Sequence, residues 1–396
     1  MKKTIIVIAV LCLSALLLAG CGSGADNTNT GSTTVGSVTT GSTVQSITGT
    51  TAPDTQMPAQ SAMSTYAAHT VKIAKLAEIA GVKIDGRTVT YGDGIVFEWP
   101  ASGFVIEGEL EGDVSVTINY GTSESGCRLR IWIDGEDCGM QTIKGGKHVY
   151  VLAEGLKKGK HTIRIAKASE AYTYITVTDV SFTGKLSAPK ASGRKIEFFG
   201  DSITAGVDLY RKGLSVLNND GTKTYAALTA EALGADYHVI ALGGWGCMAG
   251  STSVGQRIPT LIERASYVFD GAKWDTAQWQ PDVVVINLGT NDWSFMQNSP
   301  MHDLTLFENS VKNYLKLIRS KYPNAHVVWA YGMMGNPLEN SLQKVVNELR
   351  NGDAKMHYVA LPLTVRGNGG YHPSYEDSEI CSEVLVEYIK GITDWT

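Results

Sequence analysis

Residues 196–204 read IEFFGDSIT. An apolar run stops at Gly200, and Asp201 and Ser202 follow at once. A short buried strand ending in Gly-Asp-Ser places a serine hydroxyl on a tight strand-to-helix turn, since glycine permits a sharp backbone path. The turn leaves backbone N–H groups beside the hydroxyl. Acyl transfer needs that combination: an accessible nucleophilic oxygen with donors near the developing oxyanion. Gly-Asp-Ser is ordinary turn composition by itself, so the reading depends on the rest of the chain.

Two later stretches supply partners. Residues 283–293, VVVINLGTNDW, begin with a β-branched run that reads as a fully buried strand. Asn291 falls just past its carboxyl end, where ligands bind in open α/β sheets. Residues 369–374, GGYHPS, put His372 before Pro373 at the start of the last helical pattern. Nucleophile, neutral amide donor and general base thus occur in chain order. Around them IEFF, HVIAL, VVVINL, HVVWAYG and HYVALP alternate with helical patterns near 225–233, 304–321, 338–350 and 375–392. That alternation predicts a parallel sheet covered on both faces.

Upstream the pattern changes. Residues 66–186 carry short alternating runs such as GFVIEGELEG, DVSVTINY and CRLRIWIDG, each bounded by Gly or Asp turns. This spacing predicts an antiparallel β-sandwich. SAPKASG, residues 187–193, reads as a linker to a domain over 194–396. Residues 21–65 are rich in Gly, Ser and Thr, with few side chains able to bury apolar area, which predicts a flexible tether. Residues 1–20 open with Lys2 and Lys3 and continue into a short apolar core, the pattern of an export signal. The formal net charge of −5 argues against a polyanion-binding surface. There is no dense Lys/Arg run, no metal-ligand spacing and no phosphate-binding glycine loop, so neither a metal nor an organic cofactor is expected.

The C-terminal half resembles an SGNH (GDSL-type) hydrolase. Four blocks carry the resemblance: Gly-Asp-Ser at Ser202, a glycine in ALGGWG, Gly-Thr-Asn-Asp at Asn291 and His-Pro at His372. It implies Ser202 as nucleophile, His372 as base, and an oxyanion hole from Ser202 N–H, Gly244 N–H and the Asn291 amide, with Gly243 or Gly246 as alternatives to Gly244. The β-rich region ahead of it points to family-two carbohydrate esterases, which join a jelly-roll module to an SGNH domain and remove acetyl groups from plant polysaccharides. Leu-Ala-Gly-Cys at 18–21 resembles a bacterial lipobox, implying a lipid-anchored, extracytoplasmic protein with Cys21 as the lipid site.

One element departs from the family pattern. Asp-x-x-His would place a carboxylate at position 369, which is glycine here. A Ser–His dyad oriented by a backbone carbonyl is therefore expected, with Glu376, Asp377 or Glu379 as possible replacements. Trp245, Trp293, Tyr371 and Asp292 adjoin the motif blocks and are candidates to line a sugar-binding cleft. The competing readings are an SGNH lipase or lysophospholipase and a non-catalytic glycan-binding lipoprotein. Pairing among Cys127, Cys138, Cys247 and Cys381 is not decided by sequence.

Overall fold

The protein is described by a computed structural model over residues 66–121, 126–210, 215–300, 302–364 and 372–396. The expected signal, tether and Cys21, and also Tyr371, lie outside the described residues.

The N-terminal domain comprises β1 (Ala68–Lys72), helix α1 (Ile73–Glu78), β2 (Lys83–Asp85), β3 (Thr88–Tyr91), β4 (Gly94–Phe97), β5 (Gly103–Tyr120), β6 (Cys127–Ile133), β7 (Glu136–Ile143), β8 (Gly146–Lys167) and β9 (Ile175–Ser187). All pairings are antiparallel, in the order β3-β4-β9-β5-β8-β6-β7, with β1 on β9 and β2 on β5. Expected as a two-sheet sandwich, these strands hydrogen-bond as one curled sheet of nine. The strands that curl are long: β5 has 18 residues and β8 has 22, and their ladder slips register at Gly112 and Val114. Such bulges bend a strand and raise its twist, so one strand can serve two regions of the sheet. Alternate residues of β5, including Phe104, Ile106, Leu110, Val116 and Ile118, fill the enclosed core.

The C-terminal domain has β10 (Lys195–Gly200), α2 (Ser202–Ala205), α3 (Tyr225–Ala232), β11 (Asp236–Ala241), β12 (Val283–Asn287), α4 (Thr290–Asn298), α5 (Leu304–Lys321), β13 (His326–Met333), α6 (Glu339–Arg350), β14 (Met356–Leu363) and α7 (Tyr375–Ile392). The five strands are parallel in the order β11-β10-β12-β13-β14. Two apolar clusters, one on each face, bury the sheet. The strand order reverses between β10 and β12, where Gly200 stands opposite Asn287. That is the topological switch point, the crevice in which open α/β sheets bind ligands.

The two domains share a polar, buried boundary. Arg87, 0% exposed, donates to Glu197 on β10 at 2.9 and 3.0 Å, to the carbonyls of Leu261, Ile262 and Arg264, and to the Tyr322 hydroxyl. Glu98 accepts from the N–H groups of Tyr267 and Val268 and from the Ser266 hydroxyl. Trp99 Nε1 donates to Ala265 O at 2.8 Å. Arg130 on β6 pairs with Asp220 and donates to Thr222. A guanidinium buried at this depth is tolerable only because its donors are met.

Candidate active site

Ser202 leaves the carboxyl end of β10 in the first position of α2. Gly200 is required for packing: a Cβ there would lie 1.9 Å from Thr204 Oγ1. Asp201, wholly buried, caps the turn by accepting from Ile203 N–H at 3.0 Å. The Ile203 donor is thereby occupied within the turn. The other Asp201 oxygen accepts from Asn291 Nδ2 at 3.1 Å. Burial pushes the Asp201 carboxyl up to about 7, a shift opposed by these two donors.

Asn291 starts α4 beyond β12, one strand over from Ser202. It is 9% exposed, and its Nδ2 also donates to Trp245 O at 2.9 Å. Both N–H bonds of the amide thus have protein acceptors, so it is held in place, and donation to an oxyanion means sharing one of them. The helix over Asn291 is not marked by the sequence pattern; GTND reads as a loop because Gly, Thr, Asn and Asp are turn residues.

The glycine block resolves by accounting for its donors. The Gly246 N–H goes to Gln256 O at 3.1 Å. The Gly243 N–H faces the Glu170 carboxylate, whose Oε2 lies 2.9 Å from where a Cβ on Gly243 would stand. Of the three candidates this leaves Gly244, which has φ +81, a conformation that favours glycine. A Cβ on Gly243 would lie 3.7 Å from Ser202 Cβ, which fixes the loop beside the nucleophile.

His372 precedes α7, with its Nδ1 3.5 Å from Asp208 Oδ2. Asp208 is 2% exposed and lies on the turn that follows α2, six residues after Ser202. Burial lowers the His372 pKa from its usual value, and the Asp208 charge opposes that shift. A carboxylate at Nδ1 leaves Nε2, on the opposite edge of the ring, as the proton-accepting nitrogen. Asp208 thus faces the base from the nucleophile's turn, a carboxylate that the sequence reading did not name and that is far from the histidine in sequence. The expected substitutes do other things: Asp377 forms a capping box with Ser374 at the start of α7, and Glu376 and Glu379 are exposed. Asp208 has φ +54, and Asp tolerates that left-handed backbone better than most residues. That is its only sequence-level signal, and it is a weak one.

Two substrate-binding expectations are also corrected. Asp292 is wholly buried and accepts from the N–H groups of Cys247, Met248 and Ala249, at 2.9, 2.6 and 3.1 Å. It clamps the loop after the glycine block and has no face toward a sugar. Trp245 is 7% exposed and packs in the core, meeting Tyr267 edge-on at 5.4 Å. Trp293 is half-buried against the same core and packs edge-on to His302. Among the described residues, all four cysteines are free thiols, with only Cys138 exposed.

A serine at the switch point, a half-buried histidine with a carboxylate near its Nδ1, and polar groups from two neighbouring loops fit a serine hydrolase of the GDSL-like lipase/acylhydrolase family, whose model matches residues 198–376. Residues 84–189 match the carbohydrate esterase 2 N-terminal model. The two halves together make the chain a member of the family-two carbohydrate esterases. It is 32% identical over 306 residues to the cellulase/esterase CelE of Acetivibrio thermocellus, covering 72% of this chain but 36% of that protein. It is 26% identical to an acetylxylan esterase / glucomannan deacetylase of Cellvibrio japonicus, covering 75% of this chain and 86% of the relative. A family two carbohydrate esterase from Clostridium thermocellum, solved with cellohexaose, superposes with a TM-score of 0.72 at 29% identity, over 80% of this chain and 100% of that one.

Proposed function

We propose that the protein is a serine esterase that removes O-acetyl groups from an acetylated polysaccharide such as xylan or glucomannan. The observation that carries this is the placement of His372 against Asp208, on the turn that follows Ser202, at the switch point of a parallel sheet. His372 takes the proton from Ser202 Oγ as that oxygen attacks the acetyl carbonyl. The tetrahedral oxyanion is met by the N–H groups of Ser202 and Gly244 and by the Asn291 amide. His372 then protonates the departing sugar hydroxyl, and water repeats the cycle on the acetyl-enzyme. In place of the dyad, Asp208 holds the imidazole tautomer and faces the imidazolium that forms.

The substrate class is supported by the relatives: one is named for acetylxylan and glucomannan, and another was solved with cellohexaose. We read the curled N-terminal sheet as the jelly-roll module of this family. Export and lipid attachment through Cys21 complete the reading and place the catalytic domain outside the cytoplasm, anchored to the cell envelope.

Acetate release from acetylated xylan and glucomannan by the parent protein and Ser202→Ala tests the reading. The change removes a single oxygen from a partly exposed side chain, so the variant should melt like the parent and lose about 10³-fold or more in kcat. Near-parental turnover by a folded Ser202→Ala would overturn it. Preference for a long-chain ester over acetate would favour a lipase.

A further inference from the structure

The N-terminal domain sends the segment between β8 and β9 to the catalytic turn. Lys167, the last residue of β8, is fully buried; its Nζ donates to Ser169 O at 2.7 Å and Glu170 O at 2.6 Å. Thr173 adds a bond to Glu170 O from its hydroxyl at 3.1 Å. The backbone of this segment is thereby fixed from three sides, and two of its side chains reach across. The Glu170 carboxylate packs against Gly243, whose N–H favours its charged form. The Tyr172 hydroxyl donates to Gly243 O at 2.9 Å. The residue before Gly244 is therefore held through its carbonyl by Tyr172 and packed against Glu170, both from the other domain. Glu170 Oε1 also accepts from Asn219 Nδ2 at 3.3 Å, while Asn219 Oδ1 accepts from the Asp208 N–H at 3.0 Å. Glu170 Oε2 lies 2.9 Å from where a Cβ on Gly243 would stand, and Ser202 Cβ is 3.7 Å from that same point.

We infer that Glu170 and Tyr172 are positioning residues that set the oxyanion glycine and, through Asn219, the turn bearing Asp208, so that the N-terminal domain is part of the catalytic apparatus as well as any glycan contact it makes. The inference rests on the esterase reading above. Its physical basis is that the Gly244 N–H acts only if aimed at the oxygen's transition-state position. Glycine residues do not hold that aim by themselves, because their backbone is the least restricted of all. The clamp supplies the missing restraint from a rigid strand end.

The test uses the full chain with Glu170→Ala, Glu170→Gln and Tyr172→Phe, hydrolysing 4-nitrophenyl acetate, with Ser202→Ala as reference. A misaimed donor weakens the transition state and leaves the ground state alone. Glu170→Ala should therefore lose about 10- to 100-fold in kcat with KM within about threefold. Glu170→Gln keeps an acceptor oxygen for Gly243 and should recover part of the loss. Tyr172→Phe, a change at an exposed ring that leaves folding intact, should lose about 3- to 10-fold. Methylboronic acid, which becomes tetrahedral on the serine, should bind each variant more weakly by the factor lost in kcat/KM. Parental kcat and boronate affinity in Glu170→Ala and Tyr172→Phe, with Ser202→Ala inactive, would overturn the clamp and leave the esterase reading standing. A rise in KM alone would also overturn it, by assigning these residues to substrate. Turnover by Ser202→Ala would remove the esterase reading and the clamp together.

Discussion

Replacing Asp208 by Asn removes one charge and little else. Asn is isosteric, keeps the backbone N–H to Asn219, and accepts a left-handed backbone as readily as Asp. The charge lies 3.5 Å from His372 Nδ1. At that separation, in surroundings with an effective dielectric constant of about 20, a carboxylate and an imidazolium attract by roughly 5 kcal/mol. That figure is a ceiling. The spacing exceeds the roughly 2.7–2.9 Å of a charge-assisted hydrogen bond, and the His372 side chain keeps 16% exposure to water. About half the ceiling, roughly 2–3 kcal/mol, should survive, which is a loss of about 10²-fold in kcat. The imidazolium exists only along the reaction path, so KM should barely move. The base acts when neutral, so kcat/KM rises with pH through the His372 pKa; burial has already moved that pKa below its usual value. Asp208 is what opposes the shift, so in Asp208→Asn the acidic limb should slide to still lower pH. The assay is kcat and kcat/KM for 4-nitrophenyl acetate against pH, with Glu376→Gln and Glu379→Gln as controls expected within a few-fold of the parent. A kcat within threefold of the parent and an unmoved acidic limb would refute the argument and return the imidazole to a backbone carbonyl.

Asn291→Ala should lower kcat by about 10²-fold with little change in KM, the usual cost of one oxyanion donor; a change confined to KM would make Asn291 a ground-state contact. Arg87→Ala should cost about 3–5 kcal/mol, because it strands the buried Glu197 carboxylate; a denaturant midpoint near that of the parent would contradict this. Cys21→Ser should abolish partition into a detergent phase, since the tether after it has nothing apolar enough to hold a membrane; unchanged partition would end the lipoprotein reading.

Periodicity made most of the hydrolase domain legible. The helices over 304–321 and 375–392 coincide with their apolar patterns, because each has one buried stripe. Ser202 and Asn291 stand out because they follow apolar runs at strand ends, and His372 because it precedes Pro373 at the start of the last helical pattern. Gly244 could not be separated from Gly243 or Gly246 by sequence, because the partners of this loop come from elsewhere in the chain. Asp208 and Glu170 escaped for the same reason. Each acts through a contact made by folding, and each sits in a segment whose local composition is unexceptional. The alternation in the N-terminal half reports which faces are buried, and not that its long strands bend through bulges and join in one curled sheet. Asp292 and Trp245 were misplaced because adjacency in sequence to a motif says nothing about which way a side chain points.

Family models divide this chain at about residue 190, and the linker over 187–193 looks like a place to cut. Arg87, Glu98, Trp99 and Arg130 argue otherwise. Each gives charge or hydrogen bonds to backbone and acids of the other half, so a hydrolase expressed without its partner would present unmatched carboxylates and loop amides to solvent. The two halves can be recognised separately by descent, yet they are not interchangeable parts. Exchanging one for a homologous module would have to carry the matching acids and loops with it, which restricts how freely evolution or an engineer can reshuffle this pair.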